Sequence, residues 1–307
     1  MSDPKHYDTL SIGSSEAGKY ICWSRVSTLR VRTLVIESNH LGGSCPNIAC
    51  LPSKNFIYSA GQVHQAQEYA ASGLLRTNGD MGVDMKAVLE RKRAMVKGLV
   101  KMYEGVFEGS GVELVLGRGR LLGEKRVATA DSIVICTGSR AKIDDTPGLK
   151  EAQPLTHIEI LELYEVPDHL IMLGGGYAGM EFAQAFRRFK AKVTVVERTI
   201  EITGSHLLVA SGRLPNTKMT GLEVAGVEPT PSGYVKVNEY LQTSVPGIIA
   251  VGNCSGSPHF THSDFDDFRI VRDFLLKVPY TLYTNPERAQ IGLSDFIVLH
   301  NAQAVYP

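Results

Sequence analysis

Residues 173–182 read LGGGYAGMEF. The stretch opens on an apolar, strand-like run that begins at Leu170, continues into a helical pattern that lasts to Phe189, and is followed by a second strand-like run, 192–197, ending on Glu197. Gly174, Gly176 and Gly179 therefore complete G-x-G-x-x-G between a strand and a helix. Glycines there allow a tight turn and a close backbone approach, so a pyrophosphate can rest on the helix N-terminus while a carboxylate takes the ribose hydroxyls. Glu197 is the carboxylate in that position, and its charge would repel a 2′-phosphate, favouring NADH over NADPH. The competing reading is a glycine turn that holds no ligand.

Working outward, the chain opens on a similar pattern. A strand near residues 9–12, a helix over 16–29 and a buried strand at 33–37 make a βαβ opening about 160 residues before the other. Its loop, IGSSEAGK, keeps Gly13 and Gly18 but puts Ser15 where the second glycine would approach a pyrophosphate; Glu37 ends the next strand. Taken alone, this fragment reads equally well as a structural βα turn. Residues 84–107 carry apolar positions at helical spacing beside a basic face, residues 264–276 form another helix, and Pro279 begins a short strand-like tail. Pro147, Gly148, Pro154 and Pro167 punctuate the approach to the second unit, which places a domain boundary near Val166. Two βαβ units predict an α/β fold.

Lys plus Arg and Asp plus Glu both number 32, so no net field steers the 307-residue chain toward nucleic acid or an anionic membrane, and a small-molecule partner is expected. No leader-like N-terminus and no run of about 18 apolar residues is found, the pattern of a soluble, cytoplasmic protein. Five cysteines are too few and too uneven in number for a secreted disulfide framework.

Two of the five lie close together in LGGSCPNIACLPSK, residues 41–54, where Cys45 and Cys50 are spaced C-x4-C beside Gly42, Gly43 and Pro52. Thiols one helical turn apart can close and reopen a disulfide, and a helix N-terminus would favour their thiolates. Buried structural cysteines, half of a metal site and an accidental pair compete with that reading; for zinc, no second cysteine cluster exists, so no metal is expected.

The ordered set of motifs resembles the pyridine nucleotide-disulfide oxidoreductases, the family of glutathione reductase, dihydrolipoamide dehydrogenase and mercuric reductase, with the mercuric-reductase-like branch most similar. IGSSEAGK resembles the FAD phosphate loop, LGGSCPNIACLPSK the redox-disulfide signature, and SIVICTGSR, with Thr137 and Gly138, the segment leaving the flavin domain. LGGGYAGMEFA resembles the nicotinamide loop, LLVASGRLPNT the return strand, SVPGIIAVGNCSG, with Gly252 and Asn253, the second flavin contact, and PYTLYTNPERAQIGLS the start of a dimer-interface domain. The resemblance implies a Rossmann-like FAD-binding domain over 1–165 and 207–278, interrupted by a truncated NAD(P)-binding βαβ unit at 166–206 and followed by a remnant of the interface domain at 279–307. It implies that electrons pass from NAD(P)H through FAD to the Cys45–Cys50 disulfide and on to an unknown disulfide or metal acceptor. Cys45 would be the interchange thiol, Cys50 the thiol against the flavin, Lys54 a neighbour of the flavin ring, Glu181 its partner and Tyr177 the cover of the nicotinamide pocket. Gly13, Ser15, Gly18, Glu37 and Gly43 would complete the FAD contacts, Glu37 on the adenosine ribose.

The chain also departs from the family. Asn253 stands where the family carries aspartate, and only nine residues separate Glu197 from Leu207, where the family inserts a helix and further strands. A lone βαβ unit of that size buries too little apolar area to stand alone, so it must lean on the flavin domain or stay loose. The link from Leu122 to Asp131 looks short by a strand. The sequence ends at Pro307, before any counterpart of the family's C-terminal His-Glu pair; His300 lacks the surrounding motif. Loss of such an acid–base group implies thiol exchange slower by about 10²- to 10⁴-fold. The truncated interface domain counts against a homodimer, and the mercury-delivering C-terminal cysteine pair is absent, which weakens mercuric ion as a substrate. Cys22, Cys136 and Cys254 are expected to be small buried residues. The alternative reading is a degenerate, catalytically silent nucleotide-binding protein from a shortened gene.

Overall fold

The computed structural model describes residues 5–79, 81–122, 128–196, 204–276, 280–282 and 288–290. In chain order its elements are β1 (Lys5–Ile12), α1 (Glu16–Leu29), β2 (Thr33–Glu37), α2 (Ser44–Asn47), α3 (Cys50–Ala71), α4 (Met85–Ser110), β3 (Glu113–Leu116), β4 (Ala128–Ile135) and β5 (Ser139–Ala141). After a 3₁₀ turn at Glu159–Glu162 come β6 (His169–Leu173), α5 (Tyr177–Arg188), β7 (Lys192–Val196), β8 (His206–Val209), β9 (Arg213–Pro215) and β10 (Ile248–Ala250). A second such turn, Gly252–Cys254, leads to α6 (Thr261–Leu276), β11 (Tyr280–Leu282) and β12 (Arg288–Gln290). The fold is α/β, and both expected βαβ units are present.

The chain forms two compact units: Met1–Asn39, Phe107–Thr137 and Thr217–Pro307 in the first, His40–Val106 and Gly138–Asn216 in the second. These cuts differ from the motif-based division of the sequence. They group the cysteine pair with the second glycine loop.

The first unit is built on a five-stranded sheet ordered β10-β4-β1-β2-β3, with every neighbouring pair parallel. Successive side chains of a strand point to opposite faces, and here both faces are covered. Ile135, Ile248 and Ala250 join Tyr7, Leu10, Ile12 and Leu34 in one core; Val134, Ile249 and Val251 join Ala17, Ile21, Phe268 and Val271 in another, beneath α1 and α6. Apolar alternation thus fails as a strand signal here, and continuous apolar runs replace it. Cys22, Cys136 and Cys254 are buried in this unit as expected.

The second unit carries a three-stranded parallel sheet, β7-β6-β8, and a short antiparallel pair, β5-β9. Its core answers the concern that the remaining βαβ unit is too small. Leu170, Met172, Leu208, Phe182 and Phe186 pack in one cluster with Phe56 and Ala60 of α3 and Met85 and Val88 of α4. The Phe56 ring centroid lies 6.2, 5.2 and 5.3 Å from those of Phe182, Phe186 and Phe189. Truncating such a ring to alanine typically costs about 3–5 kcal/mol.

One expectation is corrected. Cys45 and Cys50 are not a turn apart on one helix: Cys45 lies in α2, the chain leaves helical geometry at Ile48 (φ −137°) and Ala49 (φ −127°, ψ −101°), and Cys50 begins α3. Proline at 46 suits the first turn of a short helix, and the Asn47 side-chain amide donates to the Leu41 and Gly43 carbonyls at 2.9 and 2.8 Å, closing the loop under it. Glu197 lies outside the described residues, as does the link 123–127 that precedes β4. The tail after Pro279 contains an antiparallel strand pair, β11 with β12.

Candidate functional site

Each unit contributes a glycine loop between a strand and a helix. In the first, Gly13 has φ +108°, and a Cβ added to it would sit 2.5 Å from the Cys136 carbonyl oxygen; one added to Gly18 would sit 2.3 Å from the Cys136 Sγ. Neither position tolerates a side chain. Ser15, the residue before α1, has φ −60° and ψ 174°, a backbone any residue adopts, and its side chain makes no cap bond to the helix. Glu37, at the end of β2, is turned into this loop. Its Oε2 accepts from the Ser14 amide at 2.9 Å and the Ser14 hydroxyl at 2.6 Å, and its Oε1 from the Asn39 amide at 2.8 Å. A strand-end carboxylate pinned beside a loop that excludes Cβ atoms, in front of a helix N-terminus, fits the diphosphate and ribose of a dinucleotide.

Two features of this loop escaped the sequence reading. Glu16 opens α1, and the ammonium of Lys19, a fully buried side chain, donates to its Oε2 at 2.6 Å. On the sequence, charges three apart on a helix read as a solvated face. The second feature is a pair of carboxylates on α6. The Gly252 amide donates to Asp267 Oδ2 at 2.7 Å, and the Ser257 hydroxyl does so at 2.7 Å. A Cβ on Gly252 would lie 3.1 Å from Asp264 Oδ1. So although residue 253 is Asn, acidic groups reach the same loop from the helix that follows; the signal was three aspartates, 264, 266 and 267, in the first two turns. Burial raises the Asp267 carboxyl above its ordinary range, opposed by the Ser257 and Gly252 donors.

The second unit's loop follows the same plan. Gly174 also has φ +108°, with the Ala210 carbonyl oxygen 2.7 Å from any added Cβ, and a Cβ on Gly179 would meet the Gly174 carbonyl oxygen at 2.2 Å. Gly176, before α5, faces open space. Tyr177, first in the helix, is 82 % exposed.

The cysteine segment sits in this unit. Gly43 precedes α2 at φ +85°, its amide donating to the His40 carbonyl at 2.8 Å. Cys45 and Cys50 are both half-buried and form no disulfide in this structure. Helix α3 packs on α5. Lys54, one turn beyond Cys50, donates to both carboxylate oxygens of Glu181 at 2.6 and 2.5 Å, and Glu181 lies one turn beyond Tyr177. Residues four apart stack on one helix face. The ion pair therefore joins the α3 face that carries Cys50 to the α5 face that carries Tyr177. Thr137 ends the segment after β4, and Gly138 follows at φ +69° with open space around it. His157, in the same unit, is held near a pKa of about 4 by burial and then by the Arg213 charge, with Glu159 opposing.

The profile of the family described as pyridine nucleotide-disulphide oxidoreductase matches residues 7–203 and 199–267. The chain is 27% identical to the dihydrolipoyl dehydrogenase of Geobacillus stearothermophilus, covering 93% of this chain and 75% of that one. It is 28% identical to the mercuric reductase of Staphylococcus aureus over 94% of this chain and 65% of that one. These alignments run over 357 and 359 positions, more than the 307 residues of the chain, so both relatives carry internal residues that it lacks. Among solved structures, the flavoprotein disulfide reductase RclA of Escherichia coli has the same fold, with a TM-score of 0.77 at 23% identity, covering 98% of this chain and 80% of that one. LpdA of Mycobacterium tuberculosis superposes with a TM-score of 0.76 at 22% identity, with 98% and 81% coverage.

Proposed function

The chain belongs to the pyridine nucleotide-disulphide oxidoreductases, and from that premise we propose that Cys45 and Cys50 carry electrons from NADH to a disulfide or metal-ion acceptor. It is an oxidoreductase whose family works with FAD and a pyridine nucleotide. When bound, the flavin accepts hydride and passes an electron pair to sulfur. The remaining work falls to the chain's own residues. Gly13, Ser15, Gly18 and Glu37 would hold the FAD diphosphate and ribose, and Gly43, Thr137, Gly138, Gly252 and Asn253 would be its further contacts. Gly174, Gly176 and Gly179 would hold the nicotinamide dinucleotide, Glu197 would select the 2′-hydroxyl, and Tyr177 would cover the pocket.

The observation that carries this reading is the Lys54–Glu181 pair, which fixes the cysteine helix against the helix of the second glycine loop. Lys54 lies one turn from Cys50 on α3 and is held there by Glu181. In the exchange, the Cys45 thiolate attacks a sulfur of the acceptor disulfide and expels one thiolate. The Cys50 thiolate then attacks Cys45 Sγ, expels the second and leaves the Cys45–Cys50 disulfide, so two electrons and two sulfurs balance.

Thiol counting on the purified, FAD-loaded chain tests this. NADH should expose two additional alkylatable thiols in the wild type. Cys45→Ser should leave Cys50 to give a long-wavelength absorption band beside oxidised flavin, Cys50→Ser should remove that band, and either change should stop turnover. No gain of thiols on reduction, or an exchange of the two variants' behaviour, would sink the assignment. NADPH reducing the flavin faster than NADH would sink the role of Glu197.

A further inference from the structure

The first glycine loop carries a charge that its partner loop does not. An acidic side chain in the first turn of a helix is attracted by the same positive end that attracts a bound diphosphate. Glu16 puts a carboxylate there, 13% exposed, in the helix whose preceding loop is read as the flavin site. Helix α5, at the second loop, has no acidic residue in its first turn. Left bare, the Glu16 carboxylate would compete with and repel the anion. It is not bare: Lys19 lies fully buried with its ammonium 2.6 Å from Glu16 Oε2, three residues back along the helix. Helical side chains lean toward the N-terminus, so the cation is brought over the first turn, where the dinucleotide charge would lie. A lysine side chain with no exposed surface is rare and is retained against a desolvation cost.

The structure assigns Glu16 and Lys19 as a charge lock on the first glycine loop: Lys19 neutralises Glu16 so that α1 can accept the FAD diphosphate, and Glu16 in turn holds the affinity of that loop down. The inference rests on the reading of this loop as the flavin site. Glu16 and Lys19 are positioning residues, acting on the anion through the field at the helix end rather than through the chemistry.

The signature is a pair of effects with opposite sign. Glu16→Gln removes the charged partner that lies 2.6 Å from a buried cation, so the flavin-free chain should unfold more easily in urea. The same change removes a negative charge from the helix end where the diphosphate would lie, so FAD should bind about tenfold more tightly, the scale of a partly buried charge at a helix end. A role in structure alone would move stability and affinity in the same direction. Lys19→Met should weaken FAD about tenfold or more by baring Glu16, and the double variant Glu16→Gln with Lys19→Met should return affinity to within a few-fold of wild type. The measurement is titration of the full chain, stripped of flavin, with FAD, read by quenching of flavin fluorescence, alongside urea unfolding of the flavin-free samples. If Lys19→Met does not fold, Glu16→Gln alone decides: unchanged or weaker FAD binding by that variant overturns the lock while leaving the flavin site standing. A wild-type chain that takes up no FAD overturns the flavin reading, and this inference with it.

Discussion

Gly13 and Gly174 adopt the same φ of +108°, and the residues before the two helices, Ser15 and Gly176, enter them with almost the same backbone, φ −60°, ψ 174° and φ −68°, ψ 178°. The serine therefore costs nothing in conformation. What separates the loops is what surrounds them. The first is walled by the Cys136 thiol and carbonyl and carries a buried ion pair; the nearest obstacles in the second are backbone atoms, of Gly174, Ala210 and Ser211, and it opens onto an exposed tyrosine. Backbone geometry defines where a dinucleotide can lie, and side chains set how it is held.

That contrast predicts unequal tolerance to a single methyl group. Gly179→Ala should be the most damaging change, because its Cβ would lie 2.2 Å from a backbone oxygen that cannot step aside; a loss of about 3 kcal/mol in urea unfolding is expected. Gly18→Ala should cost less, about 2 kcal/mol, because its obstacle at 2.3 Å is a side-chain sulfur. Adding Cys136→Ala should return part of that loss. Failure of this rescue would show that the first loop, too, is limited by its backbone.

Acid should separate the two units. Burial lowers His157 in the second unit from 6.5 to about 4, so the unfolded chain binds the proton first. Its contribution is present above pH 6.5 and is lost as pH falls toward 4. Asp267 in the first unit is raised instead, so protonation at low pH favours its folded form. Amides of β6 and β8 should lose hydrogen-exchange protection across that window before those of β1 and β4, after correction for intrinsic exchange. His157→Gln should remove the difference.

Smaller still are two side-chain changes. Lys54→Met breaks an ion pair that is 57% and 42% exposed, so stability should fall by no more than about 1 kcal/mol. Reduction of bound flavin by NADH should nevertheless slow, and unchanged reduction would divorce the pair from the second loop's function. Ser15→Gly, which removes a side chain without a cap bond, should shift unfolding by only a few tenths of a kcal/mol.

The glycine spacings and continuous apolar runs made both βαβ units legible in the sequence, and α1 and β2 fall on the residues expected, 16–29 and 33–37. The 22-residue helix α3 was not legible, because among its residues only Pro52, Phe56, Ser59 and Ala60 are buried, all near its start, and the rest present no apolar stripe. The break between Cys45 and Cys50 follows from hydrogen bonds of Asn47 to carbonyls four and six residues back, which no periodicity encodes. The pairing of Lys54 with Glu181 was expected from resemblance, since the two are 127 residues apart. The charge pair at Glu16 and Lys19 was invisible because burial is a property of what packs around a helix, here α6, and not of the helix alone.

The cluster of rings around Phe56 has a consequence for what the second unit can do without. A segment can be lost from a domain when the residues that hold its core are supplied from elsewhere in the chain. Relatives carry internal residues this chain lacks, yet β6, α5 and β8 still meet a ring donated by α3. The second unit thus depends on the cysteine helix for its core: internal residues can be absent while α3 remains, whereas loss of α3 would open that core.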